Sequence, residues 1–245
     1  MMPSPADVFL WGALPYAAVA LLVTGLIWRW RYDRFGWTTR SSELYESRLL
    51  RFGSPIFHVG LLFVLAGHLI GLFIPQGWTD AIGFDENDYH TMALWVGITA
   101  GVLTFFGIML LIWRRRTTGP VFLATTVNDK IMYVFLVGAL GLGLSTTLIN
   151  ASGPGYNYRT DIAPWVRSLF VFQPEVSLMA NTPVEYRIHA VSGLLLFAIL
   201  PFTRLVHSFT APVPYLFRPY IVYRARDPHV IGTTAPRRGW ERSDI

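Results

Sequence analysis

The sequence predicts an all-α membrane protein of five transmembrane helices. Three observations predict it. Hydrophobic residues make up 53% of the 245-residue chain and charged residues only 14%, more apolar surface than a soluble domain of this size can bury. The apolar residues gather into five runs, each long enough to cross a hydrocarbon layer of about 30 Å. Arginines gather in alternate loops between those runs, which is how inserted helices record their orientation.

The five runs are Phe9–Trp30, Pro55–Ile74, Met92–Trp113, Ile131–Ile149 and Ile188–Phe209. The first has no positive segment ahead of it and runs straight into WRWRYDR, a stop-transfer flank. It reads as a span and not as a cleaved signal. Arg29, Arg31, Arg34, Arg40, Arg48 and Arg51 surround the loop between the first two runs, and Arg114, Arg115 and Arg116 follow the third. Arg218, Arg224, Arg226, Arg237, Arg238 and Arg242 lie beyond the fifth. The other side carries Asp80, Asp85, Glu86 and Asp88. The N-terminus is therefore expected outside and the C-terminus in the cytoplasm. The loop from Asn150 to Tyr186 is rich in glycine and proline, and an interfacial helix is expected over Ala163–Phe172, with Trp165, Phe170 and Phe172 on the bilayer surface. Residues 1–226 read as one membrane domain, and 227–245 as a polar cytoplasmic tail, poorly ordered unless a partner holds it.

Charge and composition narrow the chemistry. The net charge is +5, carried almost wholly by arginine, with Lys130 the sole lysine. In a membrane chain that charge sets orientation and is not a nucleic-acid footprint. The chain has no cysteine, which removes disulfides, thiolate zinc sites and iron–sulfur clusters held by its own residues. A redox centre here needs other ligands, and histidine is the obvious one.

Histidines supply a pattern. His58 and His68 lie on the second run, His189 and His207 near the two ends of the fifth. Those runs are antiparallel, so depth matches His58 with His207 and His68 with His189. Each pair offers two axial nitrogens to one iron, which makes two six-coordinate b-type haem sites within the bundle. The spacings of ten and eighteen residues differ by about 12 Å of helical rise. A bend near Pro201 or strongly tilted haem planes is expected to absorb the difference. Gly60, Gly67, Gly71 and Gly193 would let a flat macrocycle approach the backbone. Arg204, one turn before His207, is placed to meet haem propionates at the inner end, and Arg187 to do so at the outer end.

Two other readings stand beside this one. The histidines are buried groups satisfied by helix hydrogen bonds, or they form a proton relay in a haem-free transporter. A relay usually brings carboxylates at mid-depth, and none of the five runs has one. His90, in DENDYHTM at the mouth of the third run, is either an interfacial histidine or a hydrogen-bond partner for a quinol at the outer haem. His229 lies in the polar tail and reads as structural.

The motifs carry a resemblance. FHVGLLFVLAGH in the second run, RIHAVSGLLLFAILPFTRLVHSFTAPVPYL at the fifth, RYDRFGWTTRSS after the first and YRAR near the end resemble the gamma subunit of respiratory nitrate reductase, a dihaem cytochrome b anchor. The likeness covers residues 5–226. It implies a quinol-oxidising subunit of a multi-pass protein in a bacterial or archaeal cytoplasmic membrane. Quinol, menaquinol or ubiquinol, would be oxidised near the outer surface. Electrons would pass through two haem b groups to an iron–sulfur beta subunit and a molybdenum-cofactor alpha subunit on the cytoplasmic side, where nitrate is reduced. It assigns the outer haem to His68 and His189 and the inner one to His58 and His207. A lysine tied to quinol binding in the family is missing here; the local residues are Tyr89, His90 and Thr91, and His90 is the candidate substitute. Cytochrome b subunits of sulfite- or heterodisulfide-reductase-type complexes are the neighbouring alternative.

Overall fold

The structure, a computed structural model, describes residues 3–37, 41–153 and 155–210. The expected tail 227–245, the YRAR motif and the arginines beyond the fifth run lie outside the described residues. Within them the chain is helical, and five helices are long and apolar enough to cross a membrane: Pro5–Tyr32, Arg48–Phe73, Glu86–Thr117, Val127–Ser152 and Val184–Phe202. They are called here the first to fifth spans.

All five helices start before the expected apolar runs, and the first, third and fourth run past theirs, because local chemistry extends them into polar sequence. Asp85 caps the third span by accepting a hydrogen bond from the Asp88 backbone N–H at 2.9 Å. Thr126 and Asp129 form a reciprocal capping box on the fourth, satisfying amide donors that a helix start leaves open. The fifth is the exception at its far end. Its α-helix stops at Ile199. A short 3₁₀ turn, Leu200–Phe202, follows, then Thr203 in extended conformation with φ −117° and ψ 177°, then a second 3₁₀ segment, Arg204–Thr210. Pro201 explains the stop, since it lacks an N–H and its ring clashes with the preceding turn. The bend expected near Pro201 is therefore a full break.

Packing orders the spans. The second lies tightly on the third: a β-carbon at Gly60 would come within 2.8 Å of the Thr104 backbone nitrogen, and one at Gly107 within 2.5 Å of the Phe57 nitrogen. The third packs on the fourth, the fourth on the fifth, and the fifth on the first. The second and fifth spans share no substantial packed interface, although they face each other. A core of Phe57, Ile108, Met132 and Leu136 fills the arginine-rich half. A second core, of Trp11, Ile162, Trp165 and Met179, fills the acidic end.

Loops close both ends. At the acidic end the expected interfacial helix is Ile162–Phe170, but Trp165 does not lie on the bilayer surface. It is 3% exposed, meets Trp11 edge-on at 5.8 Å between ring centroids and donates its indole N–H to the Trp11 carbonyl at 2.9 Å. A buried indole needs such an acceptor. Phe170 and Phe172 are exposed as expected. At the arginine-rich end Arg114, only 2% exposed, pairs with the Glu46 carboxylate and donates to Ser42 Oγ at 2.8 Å and the Ser42 carbonyl at 2.9 Å. One side chain thus fixes the loop between the first two spans.

Candidate functional site

The four membrane histidines meet in two pairs. The rings of His58 and His207 have centroids 6.1 Å apart with 68° between planes, and those of His68 and His189 are 5.9 Å apart with 51° between planes. The pairs are the ones that depth matching predicts. Both close although the second and fifth spans do not pack together, so the cleft between those spans is bordered by imidazoles at two levels.

Hydrogen bonds set the ring tautomers. Nδ1 of His58 lies 2.8 Å from the Ser54 carbonyl oxygen, Nδ1 of His68 2.8 Å from that of Val64, and Nδ1 of His207 2.6 Å from that of Arg204. A carbonyl oxygen only accepts, so in each case Nδ1 carries the proton and donates. This tautomer puts the lone pair on Nε2, the form in which imidazole binds a metal. His189 differs: its Nδ1 is buried without a hydrogen-bond partner, and its ring rests on Gly143, where a β-carbon would come within 2.8 Å of Cε1.

The arrangement can be tested against a haem. Among the described residues no cluster of three or more His, Cys, Asp or Glu side chains is placed to hold a metal ion. Two histidines alone leave a bare ion short of ligands, whereas a tetrapyrrole brings four in plane and needs two axial ones. Two imidazoles bound on opposite sides of one metal, with metal–nitrogen bonds of about 2 Å, put their ring centroids roughly 6 Å apart. Both pairs meet that spacing, and the residues fit the group.

The family model described as nitrate reductase gamma subunit matches residues 7–226. The chain belongs to the nitrate reductase gamma subunit family. A nitrate reductase gamma chain of Bacillus subtilis is 39% identical over 217 residues, covering 89% of this chain and 97% of that one. The respiratory nitrate reductase 2 gamma chain of Escherichia coli is 33% identical over 221 residues, 90% of this chain and 97% of that one. A nitrate reductase-like protein, NarX, of Mycobacterium tuberculosis is 55% identical over 232 residues, which are 94% of this chain and 35% of that protein. This gamma-family chain therefore spans about a third of the length of that relative.

Other predicted residues of the gamma-family chain divide. A β-carbon at Gly67 or Gly193 would meet nothing within 4 Å, so both border open space. Gly60 and Gly71 do not: Gly60 lies against Thr104 and Ala100 of the third span, and a β-carbon at Gly71 would be 2.9 Å from the Tyr158 hydroxyl. Their small size serves helix and loop packing. Arg187 lies with Ile188, Val191, Ser192 and Leu195 along a groove against Leu10 and Trp11. On a helix that face is about 200° around from His189, so Arg187 faces the first span and not the cleft. Arg204 donates from Nε and Nη2 to the two oxygens of Asp129 at 2.7 and 2.8 Å. The guanidinium face expected to meet a propionate is committed to a carboxylate of the protein.

At the acidic end Tyr89 is 3% exposed. Its hydroxyl lies 3.3 Å from that of Tyr158, and the Arg159 guanidinium sits 3.9 Å above its ring. Arg159 also binds Glu86 at 2.9 Å and Thr79 Oγ1 at 3.0 Å. Burial, with the Tyr89 hydroxyl beside it, pushes the Tyr158 phenol well above its ordinary pKa, so it stays neutral. Tyr89 is thus enclosed by protein. His90 is half-buried, its ring edge beside Gly155. Sequence reasoning missed Gly143, Tyr158 and Arg159. No motif marks them, because each acts on a partner far away in the chain.

Proposed function

We propose that this chain is the membrane cytochrome b subunit of a nitrate reductase complex. It oxidises quinol near the outer side of the membrane and passes the electrons inward to a cytoplasmic iron–sulfur partner. The observation that carries the reading is the pair of bis-histidine contacts at 6.1 and 5.9 Å in a family of nitrate reductase gamma subunits. His68 and His189 would hold the outer haem b, His58 and His207 the inner one. Bound there, each haem supplies a reversible one-electron couple.

The chain's own residues do the rest. The Nδ1–H groups of His58, His68 and His207 are held by carbonyls, which orients each ring and puts the lone pair on Nε2. Acidic residues of the spans are confined to their first turns, at Asp7, Glu86, Asp88, Asp129 and Glu185. The bundle interior therefore has no carboxylate relay, and the protons of quinol are released on the side where quinol binds. His90 is the candidate to accept one, because Tyr89 is sealed off. Nitrate reduction itself belongs to a molybdenum-cofactor partner.

The decisive experiment is a dithionite-reduced minus oxidised spectrum of the purified chain with pyridine haemochrome quantification. Two haem b per chain are expected, and their absence would sink the reading. His68→Ala is expected to lose the outer haem and quinol oxidation, and His207→Ala the inner haem. Two haems in both variants would refute the assignment. Co-purification of molybdenum and iron–sulfur with haem b tests the partners.

A further inference from the structure

We infer that Asp129 is a positioning residue for the inner iron ligand His207, acting through Arg204. The inference rests on the haem reading above and goes beyond it, because Asp129 touches neither the cleft nor a ligand. It starts from how the four rings are oriented. His58 and His68 donate to the carbonyl four residues back, and both carbonyls belong to a regular α-helix that fixes them. His207 lies past the break, in a 3₁₀ segment, and donates to the carbonyl three residues back, that of Arg204. That carbonyl follows the extended Thr203, so no continuous helix holds it. It needs an anchor from elsewhere.

The fourth span provides one. Asp129 is 3% exposed and is itself fixed by the capping box, with the Thr126 backbone N–H donating to Oδ2 at 3.0 Å and the Asp129 N–H donating to Thr126 Oγ1 at 3.2 Å. Its two oxygens take Nε and Nη2 of Arg204 at 2.7 and 2.8 Å. Paired N–H donors on one carboxylate fix direction as well as distance. The preceding residue, Asn128, donates from Nδ2 to the Phe202 carbonyl at 2.6 Å. Two consecutive residues of the fourth span therefore grip both sides of the break. The path runs from the Asp129 carboxylate to the Arg204 side chain, along the Arg204 backbone, and from its carbonyl to the His207 ring.

Removing the Asp129 charge has two consequences of the same sign. Arg204 becomes an uncompensated cation beside the inner site, which favours the reduced iron. The Arg204 carbonyl loosens, the His207 Nδ1–H bond weakens, and the imidazole becomes a poorer donor to the oxidised iron. Both raise the midpoint potential of the inner haem.

The test uses the full chain in membranes with Asp129→Asn, which keeps the side-chain shape and one capping oxygen. Redox titration and low-temperature EPR of the oxidised protein are the readouts. The expected result is two haems retained, the inner potential raised, the inner low-spin signal shifted, and the outer haem unchanged. Thr126→Ala is the control: it removes the Oγ1 acceptor of the capping box but keeps the Thr126 backbone N–H that holds Asp129 Oδ2, and is expected to leave both potentials in place. Wild-type potentials and signals in Asp129→Asn, or an equal shift in Thr126→Ala, would overturn the inference. If Asp129→Asn does not accumulate, Arg204→Lys keeps the cation and loses the paired geometry; a shifted inner signal supports the role and a wild-type one refutes it. A wild-type chain without haem overturns the haem reading and this inference together. Two haems with a silent Asp129→Asn overturn only the inference.

Discussion

A missing β-carbon at position 143 makes room for the His189 ring. A methyl there would stand 2.8 Å from Cε1 and 3.2 Å from Nε2, so the ring would have to shift. Gly143→Ala is therefore expected to lose or perturb the outer haem while leaving the inner one intact, read by haem content and EPR. Gly67→Ala and Gly193→Ala make a complementary test. Neither methyl meets protein, so the fold tolerates both; with a macrocycle in the cleft, haem content falls. Unchanged haem content in both would place the macrocycle away from these positions. At this scale the sequence was partly legible. Four histidines on two antiparallel apolar runs define both pairs, because depth is a linear function of position on a helix. Glycine roles were not, because whether Gly60 faces a haem or Thr104 depends on helix rotation, which hydropathy leaves open. The Arg204 partner was hidden for a related reason: Asp129 is 75 positions away.

Elements were legible as runs but not as ends. Hydropathy located all five spans, yet caps and interfacial turns carried most of the helices beyond the apolar stretch. The break in the fifth span was foreshadowed by Pro201 and by the mismatch of spacings, and it has a partner. A β-carbon on Gly25 of the first span would stand 2.8 Å from Pro201 Cβ and 2.9 Å from Cγ. Proline cannot move aside as a flexible chain can, so Gly25→Ala is expected to destabilise the protein by about 1–3 kcal/mol, seen as a lower melting temperature, with the inner haem the first affected. The loop staple makes a pH prediction. Burial acts to raise the Glu46 pKa, but the Leu49 backbone N–H and Arg114 overrule it and hold the carboxyl below its ordinary value. A carboxylate lowered on folding contributes stability above its unfolded pKa and loses it as pH falls through the folded one. Acid titration should therefore destabilise the wild type more than Arg114→Gln in the range below about pH 4.5. Parallel curves would show that the pair is energetically silent.

Among the described residues the five spans form a chain of pairwise contacts. The order first, fifth, fourth, third, second follows from packing; the second and fifth spans share no substantial interface, and the histidines face each other across that gap. Much of the second span has no protein cover: Leu62 is 66% exposed and Leu69 61%. Lipid can cover such residues, but lipid cannot satisfy imidazole nitrogens. Haem, on the proposed reading, does both: it covers apolar surface and joins the two spans through iron–nitrogen bonds. A ligand that binds only the folded state adds stability in proportion to the logarithm of its affinity. Haem depletion should thus lower the melting temperature steeply and loosen the second span from the fifth. A chain without native cysteine gives a clean background for measuring it. One cysteine on each of these two spans, spin-labelled and measured by pulsed EPR, should give a narrow distance distribution with haem and a broad one in the His58→Ala, His68→Ala double variant. A pair on the second and third spans, joined by the Gly60 and Gly107 contacts, should stay narrow in both. Equal distributions across the cleft, with and without haem, would mean that protein contacts alone close the bundle.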